Sequence, residues 1–396
     1  MMGARSPAVR RLAIVVSHPI QYYSPWFRYL AAHGHANLRV FYLWTGGVTR
    51  QLDRGFGLAV QWDIPLLEGY EHEFVANASR SPGPGHRRGL DNPELPARLV
   101  AFDPDAILMF GYNYWTHYRL LFSRRRVPLL FRGDSHRLVP EHGVKARLRR
   151  QWIKTVYRRF DAFLSVGHAN KEYFQIHGVP AEKLFFSPHA VDNERFFSQT
   201  DLAARAAAEW KKALGISPQQ RVVLFAGKFE PKKRPRDLVA AFKQAALANV
   251  TLLLVGNGEQ ESVLRRDAAG HPHIVFAPFQ NQTQMPRTYM TGDVFVLPSF
   301  GGGETWGLAI NEAMCMGRPV IVSSHVGCGS DVIQPGGNGL VFPAGDVAAL
   351  AGALREVLAE PGRAGEWGVR SREIICGYDY AHAAEGLNAA LEFVNR

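Results

Sequence analysis

Apolar residues in this chain gather in short runs, and between the runs their spacing switches to three and four, the repeat of a helix with one buried face. Leu12–Val16, Leu38–Trp44, Ala106–Phe110, Pro128–Phe131 and Ala162–Val166 are the runs of the first half; Val222–Ala226, Thr251–Val255, Val294–Pro298 and Pro319–Val322 are those of the second. Runs this short and apolar throughout read as strands buried on both faces, and strands that alternate with helices form parallel sheets covered on either side. A polar, alanine-rich stretch near Ser198–Gln220 separates the two sets, with Gly215 and Pro218 just before a new strand. The pattern predicts two doubly wound, Rossmann-like α/β domains, residues 1–197 and 198–377. A last helix over 378–396, apolar at Ala383, Leu387, Leu391 and Val394, is expected to pack back across their junction. Such sheets bind ligands beyond the carboxyl ends of their strands, so the cleft between the domains is the expected site.

Composition adds boundaries. With 396 residues, 46% of them hydrophobic, the chain has material for two cores. Cys315, Cys328 and Cys376 are too few and too scattered for a disulfide framework, and no Cys-x-x-Cys pair points to zinc, so a reducing cytosol is the expected compartment. Arg5, Arg10 and Arg11 precede Leu12–Val16, but that apolar run is shorter than the ~7–15 residues of a secretory leader. No window approaches the ~18 apolar residues of a membrane span. The chain reads as cytoplasmic, either soluble or peripheral on the inner face of a membrane.

Charge is uneven. Residues 1–197 hold 27 Lys+Arg against 16 Asp+Glu, residues 198–396 hold 19 of each, and the net charge is +11. Residues 119–159 alone carry thirteen basic side chains against Asp134 and Glu141, so their partner should be anionic. Within them Leu148, Trp152, Val156 and Phe160 recur at four-residue spacing among Arg147, Arg149, Arg150, Lys154, Arg158 and Arg159. Two readings stay open: a stripe packed on the core with solvated charges, or a face that docks on anionic lipid. No nucleic-acid-binding module accompanies the charge, and nucleic acid is not an expected partner.

The chemistry concentrates in Pro298-Ser299-Phe300-Gly301-Gly302-Gly303-Glu304-Thr305-Trp306-Gly307-Leu308-Ala309-Ile310-Asn311-Glu312. It follows a strand, turns through glycines and opens a helix, whose free amides and positive dipole end suit a diphosphate. Glu304 and Glu312 are spaced to present two carboxylates, good acceptors for sugar hydroxyls, along one side of a pocket. Taken alone, the pair reads equally well as a helix-start acid and a solvated mid-helix acid.

The Glu-x7-Glu pair, the preceding Pro-Ser and the following Ala-Met-x-x-Gly-Arg-Pro-Val closely resemble the signature of glycosyltransferase family 4, retaining enzymes of the GT-B fold. Further matches run in order: Pro188-His189-Ala190-Val191-Asp192, Phe225-Ala226-Gly227-Lys228 with Pro231-Lys232-Lys233, Val255-Gly256-Asn257-Gly258, and Gly337-Asn338-Gly339-Leu340-Val341-Phe342-Pro343. The resemblance covers residues 160–350 and is looser before them. It implies that Glu312 holds the nucleotide ribose and Glu304 the donor sugar, while Lys228 and Lys233 neutralise the diphosphate. Lys228 stands where many members carry Arg, which gives up bidentate phosphate recognition and keeps the charge. Gly227, Gly256, Gly303, Thr305, Trp306, Gly307 and Leu308 complete the expected donor pocket.

Two N-terminal groups are candidates for the acceptor side. Ser17-His18-Pro19-Ile20-Gln21-Tyr22-Tyr23 follows the first strand and resembles the opening of a bacterial subset of these enzymes, putting forward His18, Gln21 and Tyr22. Arg132-Gly133-Asp134-Ser135-His136 follows another strand; relatives often place a histidine near the reacting carbon there, so His136 and Asp134 join Glu304, Lys233 and Lys228 as catalytic candidates, with Arg132 on the acceptor side. Either group also reads as ordinary capping and surface residues. Asp103-Pro104-Asp105 has the Asp-x-Asp form of a metal motif, but a central proline ahead of a strand is turn chemistry. No metal and no cofactor is expected beyond the co-substrate.

The expected activity is transfer of a hexose-type unit from a nucleoside diphosphate sugar to an acceptor glycan or lipid-linked saccharide, with retention at the anomeric carbon, in cell-surface polysaccharide or glycolipid synthesis. The alternatives are a sugar-nucleotide epimerase on the same fold and a catalytically silent binding protein.

Overall fold

The computed structural model describes residues 10–123 and 127–395. Arg5 of the leader-like segment and Arg124, Arg125 and Arg126 of the basic stretch lie outside them.

The strands are, in chain order, β1 (Arg11–Val16), β2 (Asn37–Tyr42), β3 (Gln51–Asp53), β4 (Leu58–Val60), β5 (Glu71–Phe74), β6 (Ala106–Phe110), β7 (Leu129–Arg132), β8 (Ala162–Ser165), β9 (Leu184–Phe186), β10 (Arg221–Ala226), β11 (Val250–Val255), β12 (Ile274–Ala277), β13 (Val294–Leu297), β14 (Val320–Ser323) and β15 (Gly339–Phe342). Seven form one parallel sheet in the order β5-β2-β1-β6-β7-β8-β9, and six form a second in the order β12-β11-β10-β13-β14-β15. Each of the nine apolar runs named above falls on one of these strands, some of them overrunning its end by a residue or two. β1, β6, β7, β8, β11, β13 and β14 are buried almost end to end because helices cover both faces of each sheet.

In each sheet the strand order reverses direction at one place, between β1 and β6 and between β10 and β13. Loops leaving neighbouring strands part to opposite faces there and open a crevice. The segments after β1 and β10 carry Gln21-Tyr22 and Gly227-Lys228, and the segment after β13 carries the glycine-rich turn. Topology therefore brings the candidate motifs to facing sheet edges.

The chain ties its two halves together repeatedly. The last helix, Tyr380–Val394, buries Ala383, Leu387 and Leu391 with the core of the first sheet. Gly386 lies so close to it that a Cβ would sit 1.9 Å from the Phe186 carbonyl oxygen. The fully buried Asp331 carboxylate accepts the His168 backbone amide at 2.9 Å and its ring Nδ1–H at 2.8 Å, capping the helix His168–Ile176 from the other half. The helix Thr200–Ala213, in the stretch that separates the two sets of runs, belongs to the second half, where it packs on the helix Met285–Thr291.

Asp103 and Asp105 sit at the far end of the first sheet. Asp103 takes a left-handed conformation after the helix Leu95–Phe102 and pairs with the Arg11 guanidinium, while Asp105 accepts the Arg11 amide at 2.7 Å. Both acids serve the turn into β6.

The basic helix, Val144–Tyr157, divides the stripe read from the sequence. Val156 and Phe160 are buried, but Leu148 and Trp152 are exposed, and the core side of the helix is completed by Ile153 and Tyr157. A four-residue step drifts around a helix that turns every 3.6 residues, so four such positions cannot share one narrow face.

Candidate active site

A cavity of about 340 Å³ lies between the two sheet edges, within the ~300–1,000 Å³ range of small-molecule sites. Its C-terminal wall holds Gly227, Lys228, Lys233, Gly256, Gly303, Glu304, Thr305, Trp306, Gly307, Leu308 and Glu312; its N-terminal wall includes Gln21, Tyr22 and Asp134.

Close backbone approach shapes the C-terminal wall. Gly256 has φ 144° and a Cβ there would stand 1.9 Å from the Gly227 carbonyl oxygen, so the turns after β10 and β11 touch through their main chains. Gly307, φ 99°, starts the helix Leu308–Cys315 between Leu297 and Val326 and sets that helix start in the cavity wall. Unpaired amides and the positive dipole end make this wall anion-friendly.

Glu312 is 1% exposed and held from three sides. The Tyr289 hydroxyl donates to it at 2.7 Å, Gln282 Nε2 at 3.4 Å, and the Tyr22 hydroxyl crosses from the other half of the chain to the same carboxylate. Burial pushes its pKa up, and those hydrogen bonds with the nearby Arg195 pull the other way. Arg195 itself is anchored on the Gln282 carbonyl at 3.0 Å and side-chain oxygen at 2.9 Å. Glu304 accepts the Ser299 hydroxyl at 2.9 Å and pairs with the Lys233 ammonium. Lys228 meets Asp53 at 2.9 Å.

Asp134 faces the cavity across from Glu304. Its carboxylate accepts the Thr305 hydroxyl at 2.6 Å and lies 3.5 Å from His189 Nε2. Burial works to raise its pKa, but the hydrogen bonds from His189 and Thr305 outweigh that and hold it at about 2. His189 is lowered by burial, against the pull of Asp134, and stacks on Tyr23 at 6.1 Å.

Three N-terminal candidates stand elsewhere. Arg132 is 3% exposed and turned into the protein: it donates to the Ser187 carbonyl at 3.0 Å, the Ser187 hydroxyl at 2.7 Å and the Pro188 carbonyl at 3.0 Å, and lies over the Trp26 ring. It is the last residue of β7, and strand alternation turns its side chain to the face on which Trp26 packs. This corrects the acceptor-side expectation for Arg132. His18 packs edge-on to Trp44 at 5.6 Å and bonds Ser17, outside the cavity, with burial lowering its pKa to about 4. His136 has both ring nitrogens engaged: Nδ1 accepts the Leu138 amide at 3.2 Å and Nε2 lies 3.2 Å from the Glu304 carbonyl. It thus bridges the halves and lines a second cavity behind Thr305 rather than the main one.

Several cavity residues had no signal in the apolar pattern. Tyr289 and Gln282, which hold Glu312, read as ordinary helix and turn residues. Asp53, Phe56 and Trp62 come from a hairpin with no apolar run. His189 stood inside a matched motif without a role of its own.

The family described as "Glycosyl transferase 4-like domain" matches residues 21–189, and "Glycosyl transferases group 1" matches residues 207–374. The chain belongs to glycosyltransferase family 4. This glycosyltransferase is 25% identical over 356 residues to the D-inositol 3-phosphate glycosyltransferase of Nocardia farcinica, covering 82% of this chain and 76% of that one. It is 33% identical over 178 residues to the phosphatidyl-myo-inositol mannosyltransferase of Mycobacterium leprae, covering 44% and 47%. Among solved structures, HepE of Anabaena in complex with UDP and glucose superposes with a TM-score of 0.69 at 18% identity, over 96% of this chain and 98% of that one. The two-sheet architecture is GT-B, and the chain is a transferase using sugar-nucleotide donors.

Proposed function

We propose that the enzyme transfers a hexose-type unit from a nucleoside diphosphate sugar to an acceptor hydroxyl with retention at the anomeric carbon, in the synthesis of a cell-surface polysaccharide or glycolipid. The observation that carries this reading is the gathering of Glu304, Glu312, Lys228 and Lys233 around one cavity that also receives the start of the helix Leu308–Cys315. In this reading Glu312 takes the ribose hydroxyls, Glu304 the sugar hydroxyls, and the two lysines with the helix start take the diphosphate. As the bond from the anomeric carbon to the phosphate oxygen breaks, charge builds on the leaving diphosphate, where fixed cations act most strongly. The acceptor oxygen bonds to the same face of that carbon and its proton passes to a phosphate oxygen. Asp134, ionised and weakly basic, suits orienting the acceptor hydroxyl better than removing its proton. Charge handling is assigned to lysines and dipoles, with no metal.

The acceptor is read as anionic. Behind Thr305, which lines both cavities, a smaller cavity of about 180 Å³ is lined by His136, Arg137, Arg149, Arg150 and His177, with Glu141 as its acid, paired to Arg149. The name of the inositol relatives includes a phosphate. Among the described residues no helix is long and apolar enough to cross a membrane; we place the enzyme in the cytoplasm, touching an anionic membrane through exposed Leu148 and Trp152 and the arginines beside them.

Incubation with a panel of sugar nucleotides and anionic acceptors, with the anomeric configuration read by NMR, tests the reading. Product formation with retention, undiminished by EDTA, is expected. Inversion, loss of activity in EDTA, or donor turnover into an epimer without acceptor contradicts it.

A further inference from the structure

A short hairpin of the first half reaches into the donor cavity and is not part of either large sheet. β3 and β4 pair antiparallel, Gln51 with Val60 and Asp53 with Leu58. The turn between them is stiffened by Asp53, whose Oδ1 accepts the amides of Gly55 at 2.9 Å and Phe56 at 3.1 Å. The same carboxylate bridges the Lys228 ammonium with Oδ1 at 2.9 Å and Oδ2 at 3.0 Å. Three residues on, the Phe56 ring packs on Phe279 with centroids 4.5 Å apart and lies under the Lys228 ammonium at 5.0 Å. Beyond β4 the strap is pinned to the second half: Asn281 Nδ2 donates to the Gln61 carbonyl at 2.6 Å and the Thr283 amide to Asp63 at 3.0 Å. Asp53, Phe56, Lys228 and Phe279 all line the cavity that holds Glu304 and Glu312.

The tip thus presents a carboxylate on the cation assigned to the diphosphate and, beside it, an aromatic ring packed at 59° against another. An anion and a nearby aromatic ring are the two chemical features that a nucleotide would bring. We propose that the hairpin tip is a displaceable occupant of the nucleotide end of the donor site, with Asp53 standing on Lys228 in place of the diphosphate and Phe56 on Phe279 in place of the base. This inference rests on the reading that Lys228 serves the donor diphosphate. A diphosphate arriving at Lys228 meets a fixed negative charge, and at short range like charges repel strongly enough in a partly enclosed site to make the two exclusive. Two rings in contact leave no room for a base between them until they part. The donor must therefore displace both, and its apparent affinity is reduced by the fraction of molecules in which the tip occupies the site. Asp53 and Phe56 become determinants of donor affinity although they belong to the acceptor-side half. Inorganic pyrophosphate competes for the first contact alone, whereas a nucleoside diphosphate competes for both.

Asp53→Asn and Asp53→Ser keep an acceptor for the Gly55 and Phe56 amides and remove the charge. Calorimetric titration of each with UDP, GDP and inorganic pyrophosphate is compared with the parent, with Lys228→Met, and with the Asp53→Asn/Lys228→Met double variant. The expected result is about three- to tenfold tighter binding to both Asp53 variants, weaker binding to Lys228→Met, and no further gain from Asp53→Asn once Lys228 is gone. Unchanged or weaker binding to both Asp53 variants, with Lys228→Met still weakened, overturns the hairpin proposal and leaves the donor reading standing. Binding unaffected by Lys228→Met, or absent from the parent, overturns the donor reading and this one with it.

Discussion

Lys233 and Glu304 pair in the cavity, and the pairing sets what each loses when the other is removed. If Lys233 neutralises charge that develops only as the diphosphate departs, Lys233→Ala lowers kcat by more than it weakens donor binding. Steady-state kinetics beside calorimetry separates the two, and an equal loss in both assigns Lys233 to plain binding. A second residue reports on stability. His117 is fully buried, and among the described residues neither ring nitrogen has a hydrogen-bond partner; burial lowers its pKa to about 3. An unfolded histidine titrates near 6.5, so between those values the unfolded chain binds more protons and stability rises with pH. The contribution is full above about 6.5 and is lost progressively as the pH falls toward about 3. Thermal melts at about pH 7 and about pH 5 should show a drop in Tm that His117→Leu makes smaller. An identical drop in both proteins removes His117 from the acid response.

At the scale of elements, what the sequence made legible follows from burial. β6 is wholly apolar and β11 is apolar but for Thr251, because both faces of each are covered, and such runs are visible without a structure. β5, Glu71–Phe74, and the hairpin strands β3 and β4 are partly exposed and too short for a period to emerge, so they leave no trace in the pattern. The same rule explains the site. Glycine-rich turns at strand ends and the Glu304/Glu312 spacing are local features, whereas the reach of Tyr22 to Glu312 and of Asp53 to Lys228 is decided by how two sheets face each other. Arg132 and His136 show the limit on one short segment: being near a strand end does not say which face a side chain takes. The basic helix carries a prediction of its own. Exposed Leu148 and Trp152 beside Arg147 and Arg158 should hold the protein on anionic vesicles at low salt and release it at high salt; the Debye length falls from ~10 Å at 0.1 M to ~3 Å at 1 M. Arg147→Gln, Arg158→Gln and Trp152→Ser together should abolish sedimentation with the vesicles and leave nucleotide affinity intact. A parent protein that ignores anionic vesicles at low salt points to a soluble anionic acceptor instead.

At the scale of the whole molecule, one carboxylate is contacted from both halves of the chain. Glu312 rises from the second half, takes hydrogen bonds from Tyr289 and Gln282 of that half, and receives Tyr22 from the first. A buried carboxylate with this many donors is prepared for a ligand that brings hydroxyls of its own, and hydrogen bonds to a charged group contribute about 1.5–3 kcal/mol. Replacing Glu312 by Gln keeps the shape and removes the charge. The most direct measurement is therefore calorimetric titration of the parent and of Glu312→Gln with the sugar nucleotide that the panel selects. An affinity at least about tenfold weaker in the variant, with its fold unchanged, is the expected result. Equal affinity in the two proteins would contradict it and place the donor outside this cleft.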